Sequence, residues 1–139
     1  MPPKVTARTV AKLAFLAGVA LALFFALRPS AHGERLRGLP EPVGKFLNQH
    51  DDLSNFTAFF LLSGLGFYLA DGGAVPWFRR HGLWLGLFLL LVVAIECSQQ
   101  WIPGRHADWR DVATGWSGIL AAWVIEGWLA ARRGGPGKR

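Results

Sequence analysis

The chain is poor in charge and nearly free of cysteine. Charged residues make up 17% of its 139 positions, against about 25% in a typical soluble domain. Cys97 is the only cysteine, so no intrachain disulfide can form. It lies inside an apolar run, where a cysteine is most simply a small buried hydrophobe. The spacing of histidines and acids matches no zinc pattern, so no metal and no cofactor are expected. There is no RNP, zinc-finger or helix-turn-helix pattern, so the net charge of +6 does not signal nucleic acid. Ser-His and Cys-His arrangements for nucleophilic catalysis do not stand out either.

What the chain has instead is apolar and aromatic. Hydrophobic residues account for 52%, and there are seven tryptophans, a residue that favours membrane interfaces. Four long apolar segments, at about 9–28, 53–70, 82–102 and 112–131, predict an all-α polytopic membrane protein built as a four-helix bundle. The first has a basic lead of Lys4, Arg8 and Lys12, as a signal peptide does. The residues Arg28-Pro29-Ser30-Ala31 make a poor cleavage site, so a retained helix is expected. Prolines and glycines between 29 and 50 predict a loop, with a short interfacial helix at 43–50. Residues 1–139 read as one domain, with 132–139 as a flexible basic tail.

Lysine and arginine placement sets the expected orientation. Lys4, Arg8, Lys12, Arg79, Arg80, Arg132, Arg133, Lys138 and Arg139 fall on the side of the two termini, which is expected to be cytoplasmic. The opposite loops carry most of the acids, among them Asp51, Asp52, Asp108 and Asp111.

Glu96 is the residue of greatest interest. It falls inside the third span, where a carboxylate costs about 2.5–3.5 kcal/mol on insertion scales. It must face the bundle and find a partner, or stay protonated. It is also the best candidate for an acid/base. Gln99 and Gln100 follow at the spacing of one helical face. Pro103-Gly104 then turns the chain, and Arg105 is the natural counter-ion for Glu96 if the turn folds back. Asp108 and Asp111 suit the start of the fourth helix, as a cap and as dipole partners. Asp51 and Asn55 share a face at the start of the second. Three spans thus bring polar groups to one level. Each of these groups also has a plain structural reading, as a cap, an interhelical pin or an ion pair. Trp109, Trp116 and Trp123 recur every seven residues and read as a lipid-facing or packing stripe.

Between Asp51 and Ala122 the chain resembles the VanZ-like family of small bacterial membrane proteins. Asp51, Asp52, Asn55, Phe56 and Phe59 align with its second span. Glu96, Gln99, Pro103, Gly104, Arg105, Asp111 and Gly118 fall in register with its later block. Asn55 stands where the family often has His, Phe59 where it has Tyr, and Gly115 where it has Asn. Loss of that His removes an acid/base and leaves a hydrogen-bonding role at position 55. The family is named for a protein linked to resistance to the glycopeptide teicoplanin. The resemblance implies a cell-envelope role in a bacterial cytoplasmic membrane. The expected binding residues are Asp51, Asn55, Glu96, Gln99, Arg105 and Asp111, and the expected partner is a membrane lipid or lipid-linked cell-wall precursor. An enzyme acting on such a lipid and a small transporter or channel are the alternative readings.

Overall fold

The structure is a computed structural model and describes residues 6–27, 42, 51–70 and 76–133. The expected interfacial helix at 43–50 lies outside the described residues. Four helices form among them: α1 (Ala7–Leu27), α2 (Asp51–Ala70), α3 (Trp77–Gln99) and α4 (Trp109–Arg133). The protein is all-α, as the apolar runs predicted.

The helix ends depart from the sequence expectation in ways that have local causes. The third helix was expected at 82 and begins at Trp77, because Arg79 and Arg80 fit its first turn and Arg79 points outward. Pro76 precedes it with φ −52°, a value already compatible with helix entry. At the other end α3 stops at Gln99 rather than 102. The chain tightens there into three-residue turns, with Trp101 N–H donating to the Ser98 carbonyl at 3.2 Å and Ile102 N–H to the Gln99 carbonyl at 3.0 Å. Pro103 follows, and the residue before a proline avoids helical geometry. The fourth helix starts at Trp109 instead of 112 and runs through Arg133, so the first two residues of the expected tail are helical. Residues 134–139 lie outside the described residues.

Three of the helices, α1, α2 and α3, are long and apolar enough to cross a membrane. The sequence pattern predicted four. Thr114, Ser117 and Glu126 make α4 less apolar than the others, although at 25 residues it is the longest.

The helices alternate in direction, and α2 packs on α1, α3 and α4. α1 and α4 are not neighbours; they lie on opposite sides of the α2–α3 pair. The closest approach is between α2 and α4. A Cβ at Gly118 would collide with the Phe56 carbonyl, and one at Gly115 would sit 3.0 Å from the Phe59 ring and 3.1 Å from Val92. Small residues permit this, and close packing is what holds helices together in lipid, where burial of apolar surface offers little drive. Around the crossing Leu62, Phe67, Phe88, Val92, Val112, Ile119 and Ala122 form the core. α1 joins through Phe15, which meets Trp84 and Phe88 edge-on at 6.3 Å.

A few polar groups are enclosed in the bundle while many large apolar side chains lie on its outer surface. Glu96 and Gln99 are 7% and 4% exposed, and Ser63 and His81 are buried too. Leu83 and Leu90 on the same helix as Glu96 are 69% and 68% exposed. Apolar groups on this scale need an apolar surrounding, so the chain is a membrane protein.

Candidate functional site

The contact of Phe59, Val92 and Gly115 defines a level in the bundle. One helical turn further along each helix, toward the same end, stand Asn55, Glu96 and Asp111. Three helices therefore converge on one polar layer, with Gln99 and Asp108 close above it. Because α3 ends at Gln99, Glu96 lies about 4.5 Å from the helix end at 1.5 Å per residue. That is nearer than the roughly 9 Å that the longer expected span implied.

The turn after α3 is built to return over this layer. Arg105 N–H donates to the Ile102 carbonyl at 3.1 Å, with Pro103 and Gly104 between them. Gly104 has φ +79°, which matches the second central position of a type II turn and favours glycine there. Asp108 then caps α4, its Oδ1 accepting the Arg110 N–H at 2.8 Å.

Glu96 joins these parts. Its Oε2 accepts the backbone N–H of Asp108 at 3.2 Å. Its Oε1 accepts from Gln99 Nε2 at 3.4 Å. Gln99 Oε1 in turn accepts from Arg105 at 3.3 Å. In a capping box the N-cap amide is satisfied by a glutamate of its own helix, three residues on. Here that place is held by Asp111, and the carboxylate comes from α3. Arg105 was expected as the direct counter-ion of Glu96; its hydrogen bond to Gln99 puts an amide between them. Beside Arg105, a shallow open hollow of about 370 Å³ is lined also by Gln100, His106 and Ala107.

The other expected site residues fall as follows. Asn55 is half-buried and makes no side-chain hydrogen bond among the described residues. Asp51 opens α2, and its side chain lies outside the described residues, as does His50. His106 is exposed. Among the described residues no three of His, Cys, Asp and Glu gather closely enough to hold a metal ion. Cys97 is half-buried rather than enclosed. The tryptophan stripe is not uniform. Trp109 faces outward, Trp116 donates to the Leu89 carbonyl at 3.1 Å, and Trp123 packs against Trp77 and Phe78.

Two features escaped the sequence reading. Arg110 and Asp52 form an exposed ion pair at 2.9 Å that ties the start of α4 to the start of α2. His81 is almost wholly enclosed, stacked on Trp77 at 4.4 Å, with Nδ1 2.9 Å from the Trp77 carbonyl. The i, i+4 spacing of Trp77 and His81 was the available signal, but the neighbouring arginines made the segment read as a loop. No family model, no curated protein and no solved structure matches the chain.

Proposed function

We propose that the chain is a VanZ-like integral membrane protein of the bacterial cytoplasmic membrane that acts in the cell envelope by binding an anionic lipid-linked precursor. In this reading α4 is a fourth span, both termini are cytoplasmic, and the Glu96 end faces outward. The arginines at the opposite end, Arg79, Arg80 and Arg132, support that orientation. The residues assigned to binding are Asp51, Asn55, Glu96, Gln99, Arg105 and Asp111.

The observation that carries the reading is the hydrogen-bonded chain from the Asp108 amide through Glu96 and Gln99 to Arg105. It positions a guanidinium at the rim of the bundle, beside an open hollow, and guanidinium geometry suits phosphate. Both oxygens of Glu96 accept hydrogen bonds. That favours holding Arg105 in place over proton transfer, and so favours binding over catalysis.

The test is teicoplanin susceptibility of a Gram-positive host expressing the wild type, Glu96→Gln or Arg105→Gln at matched membrane levels. Protection by the wild type that is lost in both variants is the expected result. Absence of protection, with the protein present in the membrane, would defeat the envelope reading.

A further inference from the structure

The end of the bundle opposite Glu96 has a chemistry of its own. α3 begins there and α4 ends there. Trp77 packs over Gly127 and lies 5.9 Å from Trp123, and Phe78 meets Trp123 at 6.1 Å. The first turn of α3 and the last turns of α4 are therefore side by side. Phe78 and Arg79 are exposed on α3, Trp128 and Arg132 on α4, and Arg8 and Lys12 on the neighbouring α1. The other described acids, Asp52, Glu96, Asp108 and Asp111, stand at the far end; Glu126 is the exception.

Cations and aromatic rings are interleaved here in a particular way. The Arg132 guanidinium sits over the Trp128 ring, 3.6 Å from its centre, which holds a cation beside a ring that prefers the membrane interface. Phe78, at 70% exposure, adds an apolar surface next to Arg79.

We propose that this end binds the headgroup of an anionic phospholipid. Arg79 and Arg132 each engage the phosphate of such a lipid, with the upper acyl chain against the neighbouring ring, Phe78 for Arg79 and Trp128 for Arg132. A soluble polyanion would gain nothing from those exposed rings. A zwitterionic headgroup carries its own cation and would gain less from the arginines. The inference does not depend on the function assigned to the Glu96 end.

The experiment uses the full chain in nanodiscs of equimolar phosphatidylglycerol and phosphatidylcholine with identical acyl chains. Lipids retained after transfer to a neutral detergent are counted by native mass spectrometry. The wild type should retain phosphatidylglycerol preferentially. The Arg79→Gln/Arg132→Gln double variant should lose that preference by about fivefold per arginine. Arg110→Gln, at the other end, should leave it unchanged. Equal retention of the two lipids by the wild type would overturn the proposal, as would a loss with Arg110→Gln that the double variant does not share. A second measurement needs no variant: raising the salt in the detergent step should weaken the wild-type preference, and indifference to salt would also overturn the proposal.

Discussion

Glu96 and Asp108 are twelve residues apart in the chain and joined by a 3.2 Å hydrogen bond from the Asp108 amide to the Glu96 carboxylate. The bond closes the α3–α4 turn from the inside and makes the start of α4 depend on a side chain of α3. Glu96→Gln keeps the shape but sets an amide N–H against a donor, either the Asp108 amide or Gln99 Nε2. The expected loss of stability is about 1–2 kcal/mol. Thermal unfolding in detergent measures it, and hydrogen exchange should show the loss concentrated in the first turn of α4.

Asp108 is bound twice, through its amide to Glu96 and through its carboxylate to the Arg110 amide. Replacing the side chain touches only the second bond. Asp108→Ala should cost about 1 kcal/mol and Asp108→Asn much less, since asparagine caps nearly as well. Equal effects from the two substitutions would show that the carboxylate acts by charge and not as a cap.

Gly118 faces the backbone of Phe56, which cannot move aside as a side-chain tip can. Gly118→Ala should therefore push α2 and α4 apart and cost about 1–3 kcal/mol. Gly86, whose added Cβ would meet nothing, provides the control. Alanine there should be neutral or slightly stabilising in the same unfolding experiment.

The Arg110–Asp52 pair is short but open to solvent, with side chains 77% and 51% exposed. Such pairs contribute about 0.2–1 kcal/mol and weaken with salt. A double-mutant cycle with Arg110→Gln and Asp52→Asn should give a coupling in that range at low salt and less at high salt.

Much of this architecture is legible in the sequence because its causes are local. Apolar run length located the helices, Pro103-Gly104 located the turn, and the spacing of Glu96 and Gln99 put them on one face. The limits of α3 were misjudged because Arg79 and Arg80 read as loop residues, whereas a helix end at a membrane surface tolerates charge. The pairing of Asp52 with Arg110 spans 58 positions. It depends on how α2 and α4 register at Gly118, which no short window contains. Likewise the role of Gln99 as an intermediary between Glu96 and Arg105 depends on the path of the turn, and the acidic and basic letters alone suggested a direct pair.

The order of synthesis gives the Glu96–Asp108 bond a further meaning. α3 leaves the ribosome before α4, so Glu96 is presented to the bilayer before its backbone partner can fold back onto it. During that interval the carboxylate bears its insertion cost without the Asp108 amide. Membrane integration of α3 is then expected to be incomplete until α4 has begun to pack, through Gly118, against Phe56 of α2. A released chain truncated just after Ile102 should integrate its third helix less efficiently than one truncated beyond Ala122. Glu96→Leu should remove the difference, and a glycosylation-site mapping assay reads both outcomes directly.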